Sequence, residues 1–294
     1  MEKAPEKFLK YVILPLFLAT ILAGVAYSNT RPDFLMHVSF YDVGQGDSIF
    51  IKTYMGNQIL IDGGPSDKVL ANLGDDLPFY DRTIDLIILT HPHADHVSGL
   101  VDVLKRYKVK MVLLPEVVFR SPAFDKFLKL VDEKRIPKIY ARVGQRIFLD
   151  QATVMDIYWP NQKEENKNFS EGFEQSSGAL NDTSIVAKLS FGKIKILFTG
   201  DASTNVEQTL LPLFNLDSDL LKVGHHGSRF STSAEFLAEV TPEYAVIEVG
   251  DKNKYGHPTS QTIENLNKAG AKIFRTDQNQ TVRFTSDGSS LVKK

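Results

Sequence analysis

The sequence predicts an α/β fold in which two β-sheets pack together with helices outside, preceded by one transmembrane helix. Three observations carry this prediction. The chain has 294 residues and is 43% hydrophobic, which is enough to bury a large core. From Phe34 onward, strand-like runs alternate with helical segments. Residues 11–27 contain no charged side chain. We therefore expect an amino-terminal segment at residues 1–30 and one globular domain at residues 34–294.

The amino-terminal segment has the pattern of a short membrane span. Tyr11–Tyr27 is 17 residues without a charge, and a bilayer core of about 30 Å needs about 17–25 residues. Lys3, Lys7 and Lys10 precede it and Arg31 follows it, which favours a cytoplasmic amino terminus. We expect a single-pass protein of the cell membrane with an extracytoplasmic globular domain. A cleaved signal peptide, giving a secreted protein, and a helix buried in the domain remain alternatives.

The strand-like runs are rich in valine, isoleucine and phenylalanine and are bounded by glycine, proline or polar clusters. They are His37–Asp42, Ser48–Thr53, Gln58–Ile61, Asp85–Thr90, Lys110–Leu114, Thr153–Trp159, Ile185–Leu189, Lys193–Phe198, Asp219–Lys222, Tyr244–Val249 and Ala271–Arg275. Helical periodicity is present in Val97–Tyr107, Ser121–Lys134, Asn205–Phe214, Ser233–Val240 and Ser260–Ala269. The polar stretch Asn161–Gly178 is predicted to be a long loop without secondary structure.

The composition excludes several classes of protein. Lysine and arginine total 34 against 36 acidic residues, which gives a net charge of −2. This balance disfavours a protein that coats nucleic acid through overall charge. The chain has no cysteine, which rules out disulfide scaffolds, thiol catalysis, iron–sulfur clusters and cysteine-bound zinc. Any polyanionic ligand must therefore be held by a local group of side chains.

The run His91-Pro-His93-Ala-Asp95-His96 follows an apolar strand and precedes a helix. It therefore lies in a loop at the carboxyl end of a strand, where α/β folds collect their functional groups. His91 and His93 can share one ion, and Asp95 and His96 can face a second. Neutral imidazole and carboxylate are ligands suited to Zn²⁺, and also to Mn²⁺ or iron.

Further histidines and a carboxylate follow other strands. Asp201 ends one strand-like run, His225 and His226 follow the next, and His257 follows the one after that. A single histidine in such a place is more often an ordinary surface residue, but six of the seven histidines share it. The exception is His37, inside a strand, which we interpret as structural. The pattern favours a metal site at one edge of the sheets.

These motifs resemble those of the metallo-β-lactamase fold superfamily. The histidine motif, the upstream run Ile61–Gly64 and the later Thr-Gly-Asp201 carry this resemblance. The runs Phe40–Ser48, Val223–Arg229 and Tyr255–Pro258 are similar to the ComEC-like branch, which includes the exported hydrolase domain of the bacterial DNA-uptake channel. The resemblance runs from about residue 35 to the carboxyl end. It implies a four-layer αββα metallo-β-lactamase sandwich with a two-metal site at the sheet edge.

The resemblance also implies roles for the site residues. His91 and His93 would hold one ion, Asp95 and His96 the other, and Asp201 would bridge them, while His226 or its neighbour His225 would complete the second ion. Asp62 would orient a metal ligand from outside the coordination sphere.

One departure from the superfamily concerns the first ion. Many members place another histidine before the bridging aspartate, but this chain has no histidine from residue 97 to 224. Asn181, Asp182, water or substrate would fill the emptier shell. The expected cofactors are therefore two divalent ions, Zn²⁺ or the oxygen-preferring Mn²⁺.

A two-metal site of this kind suits phosphodiester hydrolysis. The candidate catalytic residues are Asp95, His225 and His257, with the two histidines facing the substrate phosphate and donating protons. The candidate substrate contacts are Ser228, Arg229, Asn181 and Lys254. Lys254 belongs with Lys252 to a small basic cluster, for which a solvated turn is the competing interpretation.

The expected function is a metal-dependent hydrolase, a phosphodiesterase or nuclease acting on DNA or another phosphodiester polymer. A hydrolase of cell-wall phosphodiesters is a close alternative because the same chemistry serves both. A metal-binding, DNA-docking accessory protein with little turnover belongs to a different class, and the missing histidine supports it. A β-lactam hydrolase is weaker, since those enzymes share only the general fold motif. The sequence indicates no particular protein partner.

Overall fold

The computed structural model describes residues 8–30, 34–161, 168–169 and 174–294. The chain divides into two units, Met1–Phe34 and Leu35–Lys294. The amino-terminal unit contains a π-helical turn, Leu9–Ile13, that continues into the α-helix Leu14–Thr30. Within the described residues, no helix combines the length and the apolar character needed to cross a membrane. The predicted transmembrane helix is therefore not confirmed.

The larger unit contains nineteen strands within its described residues. In chain order they are β1 Met36–Phe40, β2 Ile49–Lys52, β3 Gln58–Ile61, β4 Thr83–Ile84, β5 Leu86–Ile88, β6 Lys108–Val109, β7 Val112–Leu114, β8 Val118–Phe119, β9 Lys138–Tyr140, β10 Arg146–Phe148, β11 Thr153–Trp159, β12 Asn168–Phe169, β13 Val186–Phe191, β14 Ile194–Phe198, β15 Leu220–Lys222, β16 Tyr244–Ile247, β17 Lys272–Arg275, β18 Val282–Ser286 and β19 Leu291–Lys293.

The strands form two main mixed sheets. The first has the order β19-β18-β1-β2-β3-β5-β7-β9, and the second has the order β10-β11-β13-β14-β15-β16-β17. Strands β3, β5, β7 and β9 are parallel neighbours in the first sheet, as are β14, β15, β16 and β17 in the second. Because parallel neighbours end at the same edge, each sheet collects several strand ends there.

Helices cover the outer faces of both sheets. They are Lys68–Asp76, Ala94–Arg106 and Pro122–Glu133 on the first sheet, and Thr204–Leu210, Ala234–Val240 and Ser260–Lys268 on the second. Two further helices are Glu174–Asn181 and Thr276–Asn279. Apolar clusters lie between the sheets and under each helical layer. Three cores between four layers make the αββα sandwich that the resemblance implied.

Successive side chains of a strand point to opposite faces of its sheet, and in both sheets each face packs against another layer. In β3, Ile59 and Ile61 point into the core between the sheets, whereas Leu60 packs under the helices. In β14, Ile196 faces the other sheet and Leu197 faces the outer helices. Strands buried on both faces read as continuous apolar runs, so the sequence shows them clearly.

All predicted strands and helices of the globular domain are present, with shifts of a few residues at their ends. The prediction missed the strands β4, β6, β8, β9, β10, β18 and β19 and the helices Lys68–Asp76 and Thr276–Asn279. The side chains of the edge strands β9 and β10 are largely exposed, so these two strands lack a clear apolar pattern. The prediction was wrong for part of Asn161–Gly178, which contains β12 and the start of the helix Glu174–Asn181. The rest of that stretch, residues 162–167 and 170–173, lies outside the described residues.

Candidate metal centre

The carboxyl ends of strands from both sheets meet at one edge of the sandwich. Asp62 follows β3 and the histidine motif follows β5 in the first sheet. Asp201 follows β14 and the two adjacent histidines follow β15 in the second. His93 immediately precedes the helix Ala94–Arg106, so Asp95 lies in the first turn of that helix, where the helix dipole favours a carboxylate.

The Asp201 carboxylate is the centre of the site. Four histidine Nε2 atoms surround its Oδ2 atom, at 3.5 Å for His96, 3.6 Å for His226, 3.7 Å for His225 and 3.9 Å for His91. Asp201 itself is only 2% exposed. Such a convergence of imidazoles on one carboxylate fits the bridging role that the resemblance implied for Asp201.

The remaining predicted ligands, His93 and Asp95, lie next to this cluster. Nδ1 of His93 is 2.9 Å from Nε2 of His91, and Asp95 Oδ2 is 3.4 Å from Nε2 of His226. The structure therefore brings together all six residues predicted to bind metal: His91, His93, Asp95, His96, Asp201 and His226.

Asp62 lies behind the cluster and holds His96. Its carboxylate accepts hydrogen bonds from Nδ1 of His96 at 2.8 Å and from the backbone N–H and hydroxyl of Thr90 at 2.8 and 2.6 Å. Because Nδ1 of His96 is engaged, its Nε2 is left to face Asp201. This is the geometry by which an outer carboxylate orients a metal-binding imidazole.

His226 is held by groups that the sequence prediction missed. Its Nδ1 donates to the backbone carbonyl of Glu248 at 2.9 Å and lies 3.2 Å from the Asp47 carboxylate. Asp47 in turn pairs with the Lys222 ammonium. Asp47, Lys222 and Glu248 are each at most 1% exposed. A lysine at the end of an apolar strand and an aspartate inside the Phe40–Ser48 motif were the signals in the sequence.

The backbone at His225 and His226 bends more sharply than expected. The two residues have φ of 46° and 54°, in the left-handed region that non-glycine residues rarely adopt. The resemblance implied that only one of the two adjacent histidines completes the second ion. Instead, both Nε2 atoms lie at similar distances from Asp201 Oδ2. Their burial differs, since the His226 side chain is 3% exposed and that of His225 is 27% exposed.

The residues fit divalent metal ions. Nε2 of His96, Nε2 of His226 and Oδ1 of Asp201 are buried atoms without a hydrogen-bond partner, and burying such atoms unpaired is costly. Ligand atoms of Asp95, His96 and His226 come within 4.8 Å of one another, as do those of His91, His96 and Asp201. A set of imidazoles and carboxylates suits zinc as well as harder ions. The structure supports metal binding without selecting the metal.

Without a metal, the same groups attract protons. Burial disfavours the imidazolium of His226, but Asp201 and Asp47 outweigh it and raise its pKa to about 10. The pKa of His96 is likewise well above its usual value, because Asp201 and Asp62 outweigh the effect of burial. Burial opposes ionisation of Asp201, yet the surrounding imidazoles hold its pKa well below normal. The site is thus built to hold positive charge.

A cavity of about 190 Å³ opens onto the cluster. Among the described residues it is lined by Gln45, His93, Ala94, Asp95, Asn181, Asp201, His225, His226, Tyr255 and His257. Of the predicted substrate contacts, only Asn181 is in this lining, where its amide nitrogen lies 3.3 Å from Nε2 of His225.

The other predicted contacts point elsewhere. Ser228 is buried and its hydroxyl accepts a hydrogen bond from the backbone N–H of Phe230. Arg229 lies over the Phe230 ring, and Lys254 lies over the Tyr255 ring at the rim. The carbonyl of Asp182 accepts a hydrogen bond from the Trp159 indole. The structure therefore does not bring the predicted substrate contacts Ser228, Arg229 and Lys254, or the predicted metal-shell residue Asp182, into the described lining of the cavity.

His225 and His257 lie in the cavity, but their protonation differs from the prediction. Burial lowers the pKa of His225, and burial together with the neighbouring His225 lowers the pKa of His257 to about 4. At neutral pH both imidazoles are therefore neutral, so neither carries the extra proton that the predicted acid role requires. Each still presents one N–H donor to a phosphate oxygen.

The fold and the metal centre together define a metal-dependent hydrolase. The chain belongs to the metallo-beta-lactamase superfamily, whose profile matches residues 41–250. It is 29% identical over 265 residues to ComE operon protein 3 of Bacillus subtilis, across 84% of this chain and 32% of that protein. The resemblance to ComEC-like competence proteins is thus confirmed, although the chain spans only about a third of the length of that relative.

Two other comparisons extend the family relationship. The chain is 26% identical over 234 residues to the RNase J-like protein of Methanocaldococcus jannaschii, across 79% of this chain and 49% of that protein. Among solved structures, the metallo-beta-lactamase fold protein YhfI from Bacillus subtilis superimposes with a TM-score of 0.56 at 14% identity. That match covers 86% of this chain and 99% of YhfI and shows that the fold is shared.

Proposed function

We propose that this chain is a two-metal phosphodiesterase that acts on nucleic acid. The convergence of four histidine Nε2 atoms on Asp201 Oδ2 is the observation that carries the proposal. His91 and His93 would hold one ion, Asp95, His96 and His226 the other, and Asp201 would bridge them. Two divalent ions at such a site activate water and offset the negative charge of phosphoryl oxygens.

The residues around the cluster suit a phosphodiester. The amide of Asn181 and the neutral imidazoles of His225 and His257 present hydrogen-bond donors to the cavity. Asp62 and Asp47 hold the two metal-facing imidazoles of His96 and His226 in place, which keeps the cost of reorganisation low. Similarity to the RNase J-like protein and to a competence protein supports nucleic acid as the substrate.

Hydrolysis assays on the full chain test this proposal. We expect metal-dependent cleavage of bis-p-nitrophenyl phosphate and of single-stranded DNA after loading with Zn²⁺ or Mn²⁺. Asp201→Asn should abolish both activities and lower the metal content. Binding of metal without cleavage of either substrate would refute the proposal and favour an accessory protein. Cleavage of only a cell-wall phosphodiester would refute nucleic acid as the substrate.

We also propose that the amino-terminal segment anchors the domain outside the cytoplasm. The uncharged run Tyr11–Tyr27 and the three lysines before it support this proposal. In the described helix, Leu14, Leu16 and Phe17 are largely exposed, as expected for side chains that meet lipid. Protease added to intact cells should digest the domain. Full protection would refute the orientation, and an unprocessed protein in the soluble fraction would refute the anchor.

A further inference from the structure

The Tyr255 ring lies at the mouth of the cavity and has no part in the metal centre. Its side chain is 56% exposed, yet it lines the same cavity as Asp201 and His225. The ring stacks on the imidazole of His257 with centroids 5.9 Å apart and planes 19° from parallel. An aromatic side chain kept partly in water beside a reactive site offers a flat surface to a ligand.

The loop that carries Tyr255 is held firmly by one amide side chain. The Asn253 amide nitrogen donates to the carbonyls of Gly250 and His257 at 3.1 and 2.7 Å. Its oxygen accepts from the backbone N–H groups of Tyr255 and His257 at 3.2 and 3.0 Å. Gln45 anchors the start of the loop by accepting from the Gly250 N–H at 3.1 Å. The ring is therefore positioned before a ligand arrives, which lowers the cost of ordering it.

A basic group accompanies this ring. The exposed Lys254 ammonium lies 5.2 Å from the centroid of Tyr255. Cation–π contacts at exposed sites are weak, so this long side chain can leave the ring when a stronger partner arrives. A ring for a base and a mobile cation for a backbone phosphate are the two elements with which proteins hold single-stranded nucleic acid.

We propose that Tyr255 is a stacking platform for the nucleobase next to the scissile phosphate. This inference rests on the proposed phosphodiesterase activity and identifies the specificity of that site. Bases inside a duplex are already stacked on one another and are not free to reach the ring, whereas unpaired bases are. The site accordingly prefers single-stranded nucleic acid to phosphodiesters that carry no base. Because every base has an aromatic face, the platform selects for a base without reading its identity.

A pair of esters with the same leaving group tests the platform. The metal-loaded full chain is assayed on thymidine 5′-(p-nitrophenyl phosphate) and on methyl p-nitrophenyl phosphate, which differ only in the nucleoside. Tyr255→Ala should lower kcat/KM for the thymidine ester about 5- to 150-fold, mainly through KM. It should leave the methyl ester nearly unchanged. Tyr255→Phe should behave like the wild type because the ring is retained.

Tyr80 provides a matched control. It is a tyrosine of similar exposure, 53%, and it lies before β4 and β5, away from the strand ends that carry the site. Tyr80→Ala should change neither ester. An equal loss on both esters with Tyr255→Ala would overturn the proposal in favour of a structural role for the ring, and no loss on either would overturn it as well.

Binding measurements separate failure of this proposal from failure of the proposed function. If the wild type hydrolyses neither ester, the phosphodiesterase proposal is refuted, but the platform is still tested by fluorescence anisotropy. We expect the wild type to bind oligothymidylate more tightly than an abasic oligonucleotide of the same length and charge. Tyr255→Ala should remove that difference. Equal binding of the two oligonucleotides by the wild type would overturn the platform.

Discussion

Nδ1 of His96 donates a 2.8 Å hydrogen bond to the carboxylate of Asp62, and both side chains are fully buried. The bond fixes the imidazole so that its Nε2, which has no hydrogen-bond partner, faces Asp201. A metal ligand that must be oriented anew on each binding event would bind less tightly. Asp62 therefore contributes to metal affinity through His96, without contact to the ion.

We expect Asp62→Asn to weaken metal binding about 10- to 100-fold, because outer-sphere carboxylates of this kind contribute that much. Chelator competition at neutral pH measures the change. Asp102→Asn is the control, since Asp102 is a more exposed carboxylate that pairs with Lys105 and lies on the helix that carries His96. Unchanged affinity in Asp62→Asn would show that His96 is positioned without its partner.

The two adjacent histidines should differ in their effect on metal content. The His226 ring is fixed by the Glu248 carbonyl and by Asp47, whereas the hydrogen bond of the His225 ring is the longer contact to the Asn181 amide. His226→Ala should therefore lose about one of the two ions expected at such a site, whereas His225→Ala should keep both. Elemental analysis after reconstitution measures this. Loss of an ion in His225→Ala alone would exchange the two assignments.

The buried pair of Lys222 and Asp47 should be important for stability. Breaking a buried ion pair by removing one partner costs about 3–5 kcal/mol in the free energy of unfolding. Against the effect of burial, Lys222 is the charged group that lowers the pKa of Asp47 most. Without it, Asp47 keeps only the weaker contacts to His226 and His96. Lys222→Met should show a loss of this size in denaturant titrations of the metal-free protein. The double variant Asp47→Leu/Lys222→Met should recover part of it.

Lys129→Met is the matched control for the buried lysine. Lys129 is an exposed lysine that also has a carboxylate partner, Glu133, and exposed pairs contribute about 0–1 kcal/mol. A loss in Lys222→Met no larger than in Lys129→Met would contradict the importance of the buried pair.

Metal affinity should rise with pH. Metal binds the neutral imidazole, so protons compete for His226, whose pKa in the metal-free protein is about 10. Between pH 6 and 8, affinity should therefore increase up to about tenfold per pH unit for each proton displaced. Calorimetry in buffers of different ionisation enthalpy measures the protons released. Binding that is independent of pH would contradict a protonated His226.

The metal-free protein should lose stability as the pH rises from 7 to 10. The pKa of His226 is raised above its unfolded value of 6.5, so its contribution is fully present below 6.5 and is lost as the pH rises through about 10. The pKa of His91 is shifted the other way by burial, so His91 titrates below this range and does not oppose the trend. The Tm of the metal-free protein measures this loss of stability. A Tm that increases between pH 7 and 10 would contradict the prediction.

The sequence predicted those parts of the site that are contiguous along the chain. His91, His93, Asp95 and His96 stand within one motif, and strand ends place them at the sheet edge. The network behind His226 is different, because contacts such as that between Ser48 and Glu248 join residues 200 positions apart. Only the packing of the two sheets creates such contacts.

Backbone conformation was another feature of the site that the sequence did not predict. No residue type at positions 225 and 226 indicates two consecutive left-handed residues, so the convergence of both histidines on Asp201 was not predictable. The protonation of His257 is also set by burial and by His225, which the sequence does not show.

The position of Asn181 leads to a last prediction, on metal selectivity. The chain has no histidine between residues 97 and 224, and Asn181 lies in the cavity next to His225. Asn181→His would add an imidazole there, and imidazole is a better ligand for zinc than for the oxygen-preferring Mn²⁺. We therefore expect the ratio of Zn²⁺ to Mn²⁺ affinity to rise. Asp182→His is the control, because Asp182 is outside the described cavity lining. Competition titrations with the two ions measure the ratio, and equal ratios in both variants and the wild type would show that Asn181 does not face the metal.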